Sequence, residues 1–297
     1  MLRVFLFLLT NLAVIFVANI SLRLLGVGSF LAQNGGLDLT ALLIFCAVFG
    51  MAGSVVSLLI SKPIAKWSTR TKMIKQPQSP EEQWLLDTVA QLAQKAGIGM
   101  PEVGIFPNPQ ANAFATGWNK NNALVAVSAG LLQSFQREEI KAVLGHEISH
   151  VANGDMVTLA LIQGVVNTFV MFFARIIGYV VDKTVFRNER DGVGMGFYLT
   201  TIVAEIALGI LASMVVMAFS RYREYHADDG SAQLYDAKAM IQALRRLQSA
   251  HEQPSAALPD AMQAFGIRPS AGKGMLHLFA SHPPLEKRIQ ALQQKYG

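Results

Sequence analysis

Residues 146–181 read HEISHVANGDMVTLALIQGVVNTFVMFFARIIGYVV, and two signals meet in this one stretch. Its opening residues put His146 and His150 one helical turn apart on the same face, with Glu147 beside them. Two imidazoles so placed can hold one zinc ion, and the carboxylate can reach a water on that ion. From Val157 to Val181 the stretch is mostly apolar and carries no charge but Arg175. Roughly 20 mostly apolar residues are enough for a helix to cross about 30 Å of hydrocarbon. A histidine-bearing helix therefore runs, within about seven residues or roughly 10 Å, into a segment of membrane length.

Working outward, residues 4–22 (VFLFLLTNLAVIFVANISL) and 39–60 (LTALLIFCAVFGMAGSVVSLLI) carry no charge, and residues 194–219 carry only Glu205. The first run is longer than the roughly 7–15 apolar residues of a signal peptide, and no A-x-A cleavage site follows it. For 157–181 and 194–219 the alternative is a buried hairpin of a soluble core. These runs account for the composition, 52% hydrophobic and 15% charged over 297 residues, against about 25% charged in an average soluble domain. That balance excludes a disordered chain. The single cysteine, Cys46, excludes an internal disulfide framework and a cysteine-rich metal cluster.

The formal charge of +5 and pI near 9.3 raise nucleic acid as a partner. The basic residues instead gather beside the spans: Arg3, then Lys62, Lys66, Arg70, Lys72 and Lys75, then Arg221 and Arg223. Cytoplasmic flanks are enriched in Lys and Arg, so both termini and both polar regions are expected in the cytoplasm, with the bilayer rather than nucleic acid as the partner. The expected organisation is two membrane helices in 1–60, polar regions at 61–156 and 220–297, and a membrane hairpin at 157–219. Within the polar parts, helical spacing marks 81–97, ending on Gly97, and a helix running from about 130 through 150. Strand-like runs at 102–106, 112–117 and 123–128 suggest a small sheet of hairpins. Further helices are expected at 221–234, 236–250 and 284–295, with a polar loop between the last two. The fold class is thus a mainly α membrane protein: four transmembrane helices plus a cytoplasmic zincin-like α+β domain.

A catalytic zinc site takes three protein ligands and keeps one position open. A third histidine six residues after His150 is excluded by Met156, and a glutamate twenty residues on by Val170, inside the apolar run. If 157–181 and 194–219 pair antiparallel, the chain returns to the same face, and the first acid it meets is Glu224. Glu224 is the expected third ligand. Asp228, four residues on along the same helix face, can accept the free N–H of a ligating histidine. His226 falls on the wrong side of that helix. Glu205, an acid at membrane depth, is expected to be neutral or to face Arg175 across the hairpin, in a packing role.

HEISHVANGDMVTLALIQG, the SR-x-RE-x-HAD run at 220–228, NAFATG at 112–117 and HPPLEKRI at 282–289 together resemble the HtpX branch of membrane zinc endopeptidases, relatives of the CAAX prenyl proteases. The resemblance covers nearly the whole chain and its four hydrophobic segments, with no departure at the motif positions. It implies one zinc ion on His146, His150 and Glu224, with Glu147 as catalytic base. It also implies quality control of misfolded membrane proteins at the cytoplasmic face of a bacterial inner membrane, as part of a stress response. That work would be shared with an ATP-dependent membrane protease, and family members can cleave themselves. By the same resemblance His282 is a candidate donor to the oxyanion; from the residues alone it reads as a histidine at a helix start. Asn112, Ala113, Phe114 and Ala115 read either as an edge strand that takes extended substrate by β-augmentation or as an ordinary strand. The competing functions are a prenyl-peptide protease and a membrane scaffold with an inert zinc site.

Overall fold

A computed structural model describes residues 37–190, 192–252 and 280–297. In chain order the elements are α1 (Leu39–Ser68), β1 (Lys72–Met73), α2 (Pro80–Ala96), β2 (Glu102–Phe106), β3 (Ala113–Asn119), β4 (Asn122–Ser128), α3 (Ala129–Ser134), α4 (Arg137–Asn153), α5 (Asp155–Thr184), α6 (Met195–Leu234), α7 (Ala237–Glu252) and α8 (Leu285–Tyr296). Among the described residues three helices, α1, α5 and α6, are long and apolar enough to cross a membrane. The span expected at 4–22 and most of the polar loop before α8 lie outside the described residues. The chain divides into two compact units, residues 1–57 with 160–216 and residues 58–159 with 217–297.

In the first unit, Leu43, Cys46, Phe172 and Ile176 form a buried cluster between α1 and α5. Close helix approach in lipid is made by small residues: a Cβ added to Gly178 of α5 would stand 2.2 Å from Thr201 Oγ1 of α6. Arg175 donates to Glu205 Oε1 at 3.0 Å and to the Met171 carbonyl at 3.0 Å, so the two lone charges of the spans face each other. Asp182 accepts from the backbone N–H of Gly194 (2.8 Å) and Phe197 (3.1 Å), capping the start of α6. Ile202, Val203, Ile206, Ile210 and Leu211 point outward, as suits a helix whose solvent is lipid.

The second unit is built on a four-stranded sheet in the order β1-β2-β4-β3. The expected series of hairpins is corrected here, because β2 runs parallel to β4 and only β3–β4 is a hairpin. The chain leaves β2 through Pro107 and Pro109, which have no N–H to offer a neighbouring strand, then lays down the edge strand β3 and returns between them. The β4 residues Leu124 to Val127 are fully buried, and Val125 and Val127 pack with Leu85, Val89, Leu92, Leu144 and Ile148 from α2 and α4. Two turn devices mark the helix ends. Ser79 Oγ accepts from Glu82 N at 3.1 Å at the start of α2, and Gly97, at φ 64°, closes it.

Three helix boundaries also differ from expectation. The helix expected from 130 through 150 is broken at Phe135, which is extended, and α4 restarts where Gln136 N donates to Glu139 Oε2 at 2.8 Å. The helix expected at 221–234 is continuous with the apolar run before it, giving α6 its 40 residues. α1 continues past 60 because Lys62 and Lys66 remain helical while both pair with Glu102 of β2.

Candidate metal centre

α4 carries the HExxH residues and α6 carries Glu224, and the approach of these helices is set by residues without bulk. A Cβ on Gly145 would lie 3.1 Å from Ser231 Oγ, and one on Gly230 only 2.4 Å from Ser149 Oγ. Both serines turn their hydroxyls onto α4 carbonyls, Ser231 to Ala142 O at 2.6 Å and Ser149 to Gly145 O at 2.7 Å, so neither polar group is stranded in the contact.

At this crossing three ligand atoms converge. His146 Nε2 is 3.1 Å from His150 Nε2, which is 3.3 Å from Glu224 Oε1, and Glu224 Oε2 is 3.5 Å from His146 Nε2. Tetrahedral zinc with bonds of about 2.0–2.1 Å sets its ligands about 3.3–3.4 Å apart, so the triangle has the right edge lengths. Two imidazole lone pairs 3.1 Å apart repel unless a proton or a cation lies between them. Glu224 Oε2 is buried and has no aligned hydrogen-bond donor, although His282 Nδ1 stands 2.7 Å away. A cation in the triangle would satisfy all three groups. His146, His150 and Glu224 thus form a set that could hold a metal ion.

Behind each histidine stands a carboxylate. Asp228 Oδ1 is 3.0 Å from His146 Nδ1, and Asp155 Oδ2 is 2.7 Å from His150 Nδ1. A carboxylate on Nδ1 fixes the tautomer and leaves the Nε2 lone pair for a metal. The same groups favour a proton. Burial alone would lower the His146 pKa, but its hydrogen bonds to Asp228 and Glu224 overcome that and raise it to about 9. For His150 burial again lowers and the bonds to Asp155 and Glu224 raise, with a net upward shift. Arg288, buried on α8, grips Asp228 through Nε–Oδ2 at 2.7 Å and Nη2–Oδ1 at 2.6 Å, and its Nη1 lies 3.3 Å from Glu224 Oε2.

The residues singled out from sequence fall as follows. His146, His150, Glu224 and Asp228 come together, and Glu147 is half-buried next to His146 on α4. His282 reaches Glu224 with a ring that is 63% exposed. His226 turns away, its Nδ1 on the Tyr222 carbonyl at 3.1 Å. β3 is an edge strand among the described strands and packs on α4. Ser128 N donates to Asn112 O at 2.8 Å; by the alternation of an antiparallel ladder, Phe114 and Thr116 then face β4 and the amides of Ala113 and Ala115 face outward. Asp155 and Arg288 were not read from the sequence. Asp155 had a local signal, a carboxylate just past the helix-ending Asn153-Gly154; Arg288 had none, since its role depends on how α8 docks.

A buried two-histidine, one-carboxylate centre on an HExxH helix, beside an open sheet edge, defines a class of metallopeptidase. The description "Peptidase family M48" matches residues 79–296, and the chain belongs to that family. It is a membrane protease: it is 62% identical over 296 residues to "Protease HtpX" of Alcanivorax borkumensis, covering 99% of both chains. It is 63% identical over 292 residues to "Protease HtpX" of Hahella chejuensis, covering 98% of this chain and 99% of that one. Among solved structures it is similar in fold to S. mikatae Ste24p, with a TM-score of 0.61 and 17% identity over 96% of this chain and 66% of that chain. The resemblance drawn from the motifs therefore holds along nearly the full length.

Proposed function

We propose that this protein is a zinc-dependent endopeptidase that hydrolyses peptide bonds in misfolded or damaged membrane proteins at the cytoplasmic face of a bacterial inner membrane. The observation that carries the reading is the triangle of His146, His150 and Glu224 at zinc-like spacing, with Glu147 next to His146 on the same helix. The ion, when bound, supplies a Lewis acid that acidifies water to a pKa of about 7 and polarises a carbonyl. Glu147 takes the proton from the attacking water and delivers it to the leaving amine. His282, exposed at the edge of the centre, donates to the oxyanion. The outward amides of Ala113 and Ala115 hold an extended substrate, with Asn112 at the start of that strand.

Positive-inside flanks support cytoplasmic termini and an active site on that side. A stress role, and cooperation with an ATP-dependent membrane protease, rest on the family resemblance. The test is Glu147→Gln in detergent, with casein or a membrane protein as substrate. It is expected to keep its metal and lose proteolysis; normal cleavage by this variant would remove the reading.

A further inference from the structure

The charge-free run of α1 ends at Ile60, and its next turns meet the sheet in a definite order. Thr116 Oγ1 donates to Ser61 Oγ at 3.0 Å, Lys62 Nζ reaches Asn122 Oδ1 at 2.6 Å and Glu102 Oε1 at 2.8 Å, and Lys66 reaches Glu102. Along the helix these partners lie on β3, then on β4 and β2 together, then on β2, which follows the strand order from the edge of the sheet inward. Five residues of helix rise about 7.5 Å, and two strand spacings are about 9.5 Å. The strands therefore cross α1 instead of running along it, and the edge strand β3 is the one next to the apolar run.

The end of β3 carries a second, independent feature. Gly117 pairs with Ala123 and Asn119 with Asn122, so the ladder skips Trp118, the extra residue of a bulge. Gly117 is required there, since at φ 150° a Cβ would lie 2.4 Å from Asn122 O. The bulge leaves Trp118 44% exposed, and Lys120 in the following turn is exposed too. A tryptophan beside a lysine at the cytoplasmic end of a span is the pairing used at bilayer interfaces, where the ring takes the headgroup level and the amine meets anionic lipid.

We propose that the tip of the β3–β4 hairpin is a membrane-docking surface, with Trp118 and Lys120 anchoring the free edge of β3 in an anionic headgroup layer. The occupant is lipid because α1, itself of membrane length, runs directly into this contact and its Lys62 holds the hairpin through Asn122. If β3 also takes substrate, a further step that rests on the proposed peptidase reading, the segments it can reach are extended stretches adjoining a membrane span.

The test needs no activity, so its failure is separate from failure of that reading. The chain has tryptophan at 67, 84 and 118. The full chain carrying W67F and W84F is reconstituted in vesicles containing phosphatidylglycerol. Trp118 emission is expected to be quenched strongly by lipids brominated near the glycerol end of the acyl chains, weakly by lipids brominated near the chain end, and little by aqueous iodide. A chain keeping only Trp84 is expected to show no bromine quenching. In the otherwise native chain, W118F should remove part of the bromine-sensitive emission, which guards against misfolding of the double variant. Free access of iodide to Trp118 without bromine quenching would overturn the proposal. Equal shielding in purely zwitterionic vesicles would overturn the part assigned to Lys120.

Discussion

Asp155 and Asp228 hold the outer nitrogens of the two histidines from positions 73 residues apart, and among the described residues only the second also carries an arginine, Arg288. Loss of a carboxylate behind a ligating histidine lowers metal affinity by about 10–100-fold. Asp155→Ala is expected to do so with its fold intact, read by competition with a chromophoric chelator; unchanged affinity would contradict the role. Arg288 is a different case, because it is buried and its removal strands Asp228. Arg288→Met is expected to cost about 3–5 kcal/mol of stability, measured by denaturant unfolding in detergent. Proton and metal compete for both histidines, so apparent zinc affinity should rise with pH by about tenfold per unit for each histidine still protonated, and level near the His146 pKa of about 9. The sign reverses for the metal-free fold. A pKa raised from 6.5 to about 9 adds stability that is full below 6.5 and lost as pH rises through 9. Metal-free protein should therefore unfold more readily at the alkaline end of that window, where metal binding is strongest.

At the scale of elements, the centre depends on two helices that sequence places far apart and two glycine–serine contacts that bring them close. Gly230→Val must move Ser149 or push α6 away from α4. A loss of about 1–3 kcal/mol and a parallel loss of metal are expected, by unfolding and metal analysis; full metal retention would show that the crossing tolerates bulk. The same elements explain what was legible beforehand. α4 could be read because the histidines, the apolar spacing and Gly154 are all local. Asp228 could be placed because four residues from Glu224 is one turn of the same helix. The parallel pairing of β2 with β4 could not be read, since strand order is decided by long-range packing. Asp155 was hidden because the left-handed Gly154 turns the chain so that a residue just beyond α4 comes back against His150. Arg288 was hidden because α8 reaches the centre through tertiary docking alone.

For the whole molecule, a low charge fraction and a catalytic motif are two aspects of one arrangement. α5 starts at Asp155, which holds His150, and continues as a mostly apolar helix; α6 carries no charge but Glu205 over its first 25 residues and then supplies Glu224 and Asp228. One helix of membrane length, α6, also carries Glu224 of the candidate set, and another, α5, begins at the carboxylate behind His150, which is why composition alone pointed to a membrane protein and the motif alone left the third candidate ligand to be found. The account stands on one ion at His146, His150 and Glu224 being required for proteolysis. The direct measurement is to strip the purified protein with a chelator and follow cleavage as zinc is returned. Activity is expected to be absent at the start and to rise linearly to a break at one equivalent, with Glu224→Gln failing to recover. Full activity in verified metal-free protein, or recovery of Glu224→Gln with the same break, would contradict it.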